Sequence, residues 1–536
     1  MVNVTIDGVA YEVQDGRTIL QALDDLGLLM NGVDVPHYCW HPKLSIDGSC
    51  RLCQVEVKGQ PKLQIACNTV VANGMEIITA NERVQKAREG VMELLLVNHP
   101  LDCPICDQAG ECKLQDYAYE YGLAHARTKE PRRPLKKRAD LGPTILLDQE
   151  RCILCRRCVR FTREISKTSE LSVMSRGDRS TIEILPDRPL ENDYSMNVAD
   201  ICPVGALTTK DFRFKIRVWF LEERPGVCTG CANGCNIHLG VANNQVYRYV
   251  PRRNDAVNDT WMCDEGRMSY KRIAAPDRIR EPMLRGASGG LASAKLDAAI
   301  AAAAAKLRAV TSGGAGVVAA LASAHATNED LFVLRRFCEA LGTQTLGVAV
   351  PIGRADELLI KAEKAANGAG ARALGFEDVQ GVADRLKAGA VRALIVLGND
   401  ALAALGGEAA LAKLECVILL DTHHSPLERA ADVVFPARVV AEKLGTLTNH
   451  AGRVQRAEPA VEPAFEAFAE GEILTRIGQA LGLAGFAPGW RYDAREVSKL
   501  MGEVVPAFAG CDVDSVGDEG RPLADAATPP RGAGAR

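Results

Sequence analysis

Past residue 263 this 536-residue sequence is almost without cysteine. Only Cys338, Cys416 and Cys511 occur there, against fifteen between Cys39 and Cys263. So uneven a distribution excludes a secreted disulfide scaffold, which is small and evenly stapled. Core cysteines acting as small hydrophobes would scatter rather than gather in C-x2-C pairs. An odd number also leaves one thiol over from complete pairing. Charge of one sign is lacking too: the net charge is −4, with no global nucleic-acid signature. No uncharged apolar run reaches the roughly 18 residues of a membrane span. The opening MVNVTIDGVAYEV reads as strand, so no signal or transit peptide is expected. What remains is an ordinary globular composition, 47% hydrophobic and 25% charged. In a reducing compartment, cysteines grouped in this way are metal ligands or redox-active.

Residues 1–78 read as a small α+β module. Val2, Val4 and Ile6 alternate, Asp7-Gly8 signals a tight turn, and Val9, Tyr11 and Val13 alternate again, which predicts a hairpin. Thr18 and Gln21 have the spacing of a capping box before the helix positions Leu20, Leu23 and Leu26. Residues 54–58 and 62–66 form a second alternating pair around Gly59-Gln60-Pro61. Residues 82–97 predict an amphipathic helix with Val84, Val91, Leu94 and Leu95 on one side. It ends at His99-Pro100, because proline pushes its predecessor out of helical geometry. Residues 125–140 are basic and proline-containing, with no interleaved aromatics to stack bases, and read as a solvated linker. After about 285 the composition shifts to Ala, Gly, Leu and Val. A helix at 294–309 precedes apolar strands at 317–321, 393–397 and 417–420, with helices between, as in an α/β domain on a largely parallel sheet. The last 25 residues have little to bury and are expected to be disordered.

The clustered cysteines fall into four groups. Cys39, Cys50, Cys53 and Cys67 are spaced C-x10-C-x2-C-x13-C. A three-residue turn at 59–61 would pair 58 with 62 and bring Cys53 opposite Cys67, close enough for one small cluster. Iron–sulfur clusters need such thiolates, and a four-thiolate zinc site is the alternative. The second group is Cys103, Cys106 and Cys112. Three cysteines need a fourth ligand, and His99 is the only histidine beside them. Imidazole ligation raises a cluster's potential relative to thiolate. His37 and His41 flank Cys39, but that group already has four thiolates, so they read as loop residues.

The third group opens with Cys152, Cys155 and Cys158, like a bacterial ferredoxin run whose fourth ligand comes from a distant Cys-Pro, here Cys202-Pro203. Position 162 is threonine and no second run precedes Cys202, so one cubane is expected. Arg156, Arg157 and Arg160 beside it are candidates to favour the reduced form, or else are solvated or at an interface. The fourth group, Cys228, Cys231, Cys235 and Cys263, could take zinc. The company of the other three favours a [4Fe–4S] cluster.

These groups in this order, in the segments YCWHPKLSIDGSCRLC, NHPLDCPICDQAGECKLQD, RCILCRRCVRF, ICPVGAL and CTGCANGC, resemble the large iron–sulfur subunits of respiratory complex I, the proton-pumping NADH:quinone oxidoreductases. The resemblance covers about residues 1–480. It implies one [2Fe–2S] cluster on the first group and [4Fe–4S] clusters on the other three. It implies electron flow from the flavin-bearing NADH-binding subunit, through groups one, three and two, to an eight-iron ferredoxin-type subunit, with the fourth group off the route. Other peripheral-arm subunits are implied as partners, nucleic acid is not, and the chain would meet the membrane only through the complex. Its place would be peripheral, on the cytoplasmic side of the bacterial inner membrane. No independent active site is expected on the chain.

The implied fold is multidomain, α+β and α/β. A β-grasp [2Fe–2S] ferredoxin at 1–78 precedes the one-histidine, three-cysteine segment at 79–124 and the basic linker at 125–140. A bacterial ferredoxin-like [4Fe–4S] domain follows at 141–215, then a molybdenum/tungsten oxidoreductase-like [4Fe–4S] segment at 221–277. A degenerate molybdopterin oxidoreductase-like α/β domain at 278–490 leads to a partly disordered tail at 491–536. That second half resembles molybdopterin-dependent oxidoreductases such as formate dehydrogenase through Thr327-Asn328-Glu329 and EKLGTLTNHAGRVQ at 442–455. Catalytic members carry a Cys, selenocysteine or Ser on the metal soon after the first motif. Here LGTQTLGVAVPIGRADELL has neither Cys nor Ser, and Cys338, in an apparent helix, reads as core. No molybdenum is therefore expected. No flavin or NAD is expected either, since the glycine-rich stretch at 313–316 lacks the full G-x-G-x-x-G pattern. The competing readings are the catalytic subunit of an NAD-linked molybdenum formate dehydrogenase and a non-redox zinc scaffold.

Overall fold

The computed structural model describes residues 1–29, 35–312, 314, 316–398, 402 and 404–524. They form two compact units, Met1–Leu221 and the residues from Glu222 onward.

In the first unit, β1 (Val2–Ile6) and β2 (Val9–Val13) pair antiparallel with Ile6 opposite Val9. The two-residue turn needs positive φ at both positions, and Asp7 (+46°) and Gly8 (+86°) provide it. Helix α1 (Ile19–Asp25) opens with the expected capping box between Thr18 and Gln21. Strands β3 (Gln54–Val57), β4 (Gln64–Ile65) and β5 (Met75–Ile78) complete a mixed five-stranded sheet ordered β2-β1-β5-β3-β4. Ile19, Leu20 and Leu23 of α1 bury against Val4, Ile6, Val55 and Ile77.

Two expectations need correction here. The β3–β4 register pairs Gln54 with Ile65, so Cys53 faces Ala66 rather than Cys67. The β3–β4 pairing ends at Val55 opposite Gln64, and the connection turns at Gly59 (φ +82°) with Pro61 bringing no N–H. In α2 (Glu82–Leu96) the buried residues are Val84, Arg88 and Met92, while Leu94 is 76% exposed. Arg88 is buried because its guanidinium donates to Thr79 O, Gln54 O and Tyr121 Oη. A hydrophobicity pattern cannot anticipate that placement.

Helix α3 (Lys113–Tyr121) packs beside α2. The basic segment is largely exposed, and within it Lys137 is ion-paired with Asp102, Asp148 and Glu150. Then follow β6 (Ala139–Asp140), β7 (Ile145–Leu147), α4 (Arg157–Glu164), β8 (Leu171–Met174), β9 (Thr181–Ile184), α5 (Asn197–Asp200) and β10 (Leu207–Thr209). β10, β7 and β6 make one small sheet, and β8 and β9 another.

The second unit starts with the meander β11 (Glu222–Val227), β12 (Asn236–Ala242) and β13 (Gln245–Pro251), then α6 (Asp264–Met268). An antiparallel pair, β14 (Met283–Arg285) and β15 (Leu291–Ser293), leads through α7 (Leu296–Thr311) into β16 (Val318–Ser323), α8 (Asn328–Ala340), β17 (Leu346–Ala349), α9 (Gly368–Ala373) and β18 (Glu377–Asp378). α10 (Val379–Lys387), β19 (Ala393–Leu397), α11 (Glu408–Leu411), β20 (Cys416–Asp421) and β21 (Val433–Pro436) complete an eight-stranded sheet. Its six parallel strands β16 to β21 lie in the doubly wound order 3-2-1-4-5-6. Alternate residues of β16, β19 and β20 serve separate hydrophobic clusters, which is why these strands are apolar throughout.

The chain ends with β22 (Gly445–Thr448), β23 (Arg453–Ala457), α12 (Glu470–Leu481), α13 (Ala494–Val504) and β24 (Arg521–Pro522). Of the last 25 residues, expected to be disordered, those from Asp512 to Val516 pack and those from Gly517 to Ala524 are mostly exposed. Val513 and Val516 are buried, and β24 pairs with β23. A few apolar residues suffice there because they join a core already built. Residues 525–536 lie outside the described residues.

Candidate metal centres

The structure brings together the members of each of the four groups. In the first, Cys39 lies within hydrogen-bonding reach of Cys50 and Cys67, and Cys53 of Cys67. The register shift therefore moves Cys53 opposite Ala66 without separating the thiols. Hydrogen bonds from Cys50 and Cys67 hold the Cys39 thiol well below its ordinary range. The same bond to Cys39, with burial, pushes Cys50 up. Four sulfurs this close can all lose their protons only where a bound cation offsets the thiolate charge. His37 Nδ1 donates to Val35 O, and His41 Nδ1 accepts from Lys43 N, so both serve the loop.

In the second group, His99, Cys103, Cys106 and Cys112 line one small cavity with Asp102, Arg151 and Gly205. His99 follows α2, and Cys112 stands at the N-cap of α3. Burial, then Arg151, pushes the imidazole down to about 4, leaving it neutral with a lone pair free to ligate. Gly205 is a close-approach glycine: a Cβ there would lie 2.3 Å from Cys106 Sγ. Arg151 is held by Asp102 at 2.9 Å and Asp148 at 3.2 Å.

In the third group, Cys152, Cys155, Cys158 and Cys202 line a second cavity with Ile153, Arg156, Arg157 and Val204. Leu154 and Arg156 take positive φ, +54° and +58°, and curl the loop between its cysteines. Leu154 N donates to Cys152 Sγ at 3.4 Å. Burial pushes the Cys152 and Cys202 thiols up to about 12, so a bound metal must supply the charge that deprotonates them.

In the fourth group, Cys228, Cys231, Cys235 and Cys263 line a third cavity with Gly230, Gly266 and Lys364. Asn233 Nδ2 donates to Cys235 Sγ at 3.1 Å, and Gly266 N to Cys263 Sγ at 3.3 Å. A Cβ on Gly266 would lie 2.9 Å from Cys228 Sγ, so the glycine keeps the cradle clear. Burial pushes Cys228 up to about 12 and Cys263 up to about 11. Among the described residues, no three His, Cys, Asp or Glu side chains converge as a single ion would require.

These donor sets fit iron–sulfur clusters. They supply soft thiolates, one neutral imidazole, N–H groups aimed at sulfur, and glycines where sulfur approaches backbone. Cys338, Cys416 and Cys511 stand apart, each at most 1% exposed within a hydrophobic cluster.

The two remaining motifs bind each other. Thr446 donates from N and Oγ1 to Glu329, both at 2.7 Å, and Asn328 Nδ2 donates to Thr446 and Thr448 hydroxyls at 3.0 Å. Nearby, a cavity of about 400 Å³ opens where β16 and β19 end, at Ser323, His325 and Gly398. That is the topological switch point of the sheet, where doubly wound folds bind ligands. Among the described residues, no cysteine lines it. The N–H···S donors were the features least accessible from the sequence, because each depends on which backbone or amide comes to lie beside which sulfur.

Five stretches match known families. Residues 1–82 match the 2Fe-2S iron-sulfur cluster binding domain, and 88–127 the NADH-ubiquinone oxidoreductase-G iron-sulfur binding region. Residues 142–208 match the ferredoxin-like domain of NADH-quinone oxidoreductase subunit 3. Residues 221–275 match the molybdopterin oxidoreductase Fe4S4 domain, and 356–480 molybdopterin oxidoreductase. The chain is 39% identical over 348 residues to the G-type NADH-quinone oxidoreductase subunit of Rickettsia bellii, an alignment covering 65% of this chain and 50% of that protein. It is 42% identical over 289 residues to the mitochondrial NADH dehydrogenase [ubiquinone] iron-sulfur protein 1 of Solanum tuberosum, covering 54% and 38%. The chain thus matches half or less of these relatives' length. Among solved structures, an NAD+-reducing [NiFe]-hydrogenase in the H2-reduced state is 30% identical with a TM-score of 0.36, covering 40% of this chain and 91% of that chain.

Proposed function

We propose that this chain, a homologue of the G-type subunits of NADH-quinone oxidoreductase, is an electron-carrying subunit of such a complex. The observation that carries the reading is the gathering of sixteen donors, fifteen cysteines and His99, into four separate sets of four. Cys39, Cys50, Cys53 and Cys67 would hold a [2Fe–2S] cluster. His99 with Cys103, Cys106 and Cys112, Cys152 with Cys155, Cys158 and Cys202, and Cys228 with Cys231, Cys235 and Cys263 would each hold a [4Fe–4S] cluster. Such clusters, when bound, pass single electrons without bond chemistry. The protein's own part is to hold and tune. Arg151 keeps positive charge beside the second set, Asn233 donates to a sulfur of the fourth, and Leu147, Ile182, Val204 and Leu207 give the third an apolar lining.

The route we propose runs from an NADH-binding flavoprotein through sets one, three and two to an eight-iron ferredoxin-type partner and on toward quinone. The chain would sit at the cytoplasmic face of the bacterial inner membrane. No helix among the described residues is long and apolar enough to cross a membrane. The C-terminal α/β unit would carry neither molybdenum nor NAD or flavin, and would serve as support and docking surface.

Iron and acid-labile sulfide analysis with low-temperature EPR on the anaerobic complex tests this. About fourteen irons per chain are expected, with one [2Fe–2S] and three cubane signals. Molybdenum with formate oxidation, or a colourless zinc-rich protein, would overturn it.

A further inference from the structure

Helix α4, which carries Cys158 of the third cysteine group, holds the loop of the first. Arg160 is 3% exposed. Its Nη2 donates to Cys39 O and, at 3.3 Å, to Cys155 O, while Nη1 donates to Ser45 O. Nε donates to Arg156 O at 3.4 Å. One guanidinium thus touches the backbone of a ligand from each of two groups. Three neighbours act in the same direction. Arg157 donates to Trp40 O and, at 3.2 Å, to Ile201 O beside Cys202. Arg156 pairs with Asp47 at 2.7 Å, and Glu164 accepts from Ser45 N at 2.8 Å and Ser45 Oγ at 2.6 Å.

The charge bookkeeping is unusual. Among the described residues, every hydrogen-bond partner of Arg160 is a neutral backbone carbonyl. A buried cation without a carboxylate is costly unless something else nearby is anionic. The two sets of sulfurs flanking Arg160 carry that charge once they bind iron as thiolates. Its planar fork also matches the geometry, since it reaches several carbonyls at once where a lysine reaches fewer.

We propose that Arg160 is a positioning residue that locks the first and third groups together, and that its buried charge stabilises the reduced form of both clusters, so that their potentials move as a pair. The proposal rests on the reading that both groups hold iron–sulfur clusters. Each one-electron reduction adds one negative charge beside the guanidinium, and nothing else is consumed.

The test is redox titration, followed by EPR, of the full chain purified anaerobically as wild type, Arg160→Met and Arg160→Lys. With iron content unchanged, Arg160→Met is expected to lower both midpoints. The expected shift is at least tenfold in each reduction equilibrium, which is 59 mV for one electron. The signal of the His99 group should stay in place. Arg160→Lys, which keeps the charge, should recover most of the shift. Unmoved midpoints, or movement of the third group alone, would overturn the bridge. If Arg160→Met loses iron, Arg157→Gln carries the same test, and again both midpoints must fall or the proposal is lost. A wild-type chain lacking either cluster signal removes the underlying reading, and the proposal with it. That result is distinct from loaded clusters with unshifted potentials.

Discussion

Lys443 Nζ donates to Asp330 Oδ2 at 2.8 Å, with the two side chains 4% and 0% exposed. The ammonium also pairs with buried Glu470, and Asp330 accepts from Tyr492 Oη at 3.0 Å and Gly471 N at 2.9 Å. Glu329 lies next in the chain, wholly buried against Thr446. Two carboxyls, Asp330 and Glu470, therefore share one ammonium in the core of the C-terminal unit, and Glu329 lies beside them on Thr446. Although burial opposes it, Lys443 holds the Asp330 carboxyl below its ordinary range. Burial pushes Glu329 and Glu470 up, each to about 7.

The sign of the pH dependence follows. Glu329 takes up its proton more readily folded, at about 7, than unfolded, near 4.5. Its contribution to stability is full below about 4.5 and is lost as pH rises through about 7. The Tm of the C-terminal unit should fall between about pH 4.5 and 7, the window these values span, and Glu329→Gln should flatten that decline. A slope unchanged by Glu329→Gln would contradict the assignment.

Lys443→Met removes the ammonium that Asp330 and Glu470 share and leaves the two carboxyls buried together. A loss of about 3–5 kcal/mol in denaturant unfolding is expected. A loss under about 1 kcal/mol would mean that the pair is not desolvated as described.

Gly205→Ala places a Cβ 2.3 Å from Cys106 Sγ. The cubane signal of the His99 group should weaken or vanish while the other three persist, and His99→Ala should perturb that same signal alone. EPR of the two variants makes the comparison. Loss of a different signal would reassign the group.

Cys263→Ala should lower iron from about fourteen to about ten per chain, with the other three signals intact. Cys338→Ala should leave iron unchanged and cost about 1 kcal/mol of stability, as a core substitution does. Iron lost from Cys338→Ala would make that residue a ligand after all.

Much of the architecture was legible in local chemistry. Asp7-Gly8 dictates a hairpin because that turn needs two positive φ values, and Thr18 with Gln21 caps a helix within four residues. The β-strands of the C-terminal sheet announce themselves as short apolar runs because both faces are covered. The failures were also specific. A six-residue connection replaced the expected three-residue turn before Gln64, moving Cys53 from Cys67 to Ala66. Arg88 displaced Leu94 from the buried side of its helix because three polar partners awaited it there. The segment from Asp512 to Val516 packed on a core already built, and β23 offered β24 an edge.

The sequence by itself marked the candidate metal donors we propose: fifteen crowded cysteines, and an odd number that points to His99. Ligand chemistry is a property of residue type and spacing, and both are written locally. Tertiary structure alone decided the surroundings of those ligands. It set Arg160 against the backbone of Cys39 and Cys155, Gly205 against Cys106, and Lys443 between two distant carboxylates. Charge and hydrogen bonding act through space over a few ångströms, between residues far apart in the chain, and only the folded chain brings them within that range.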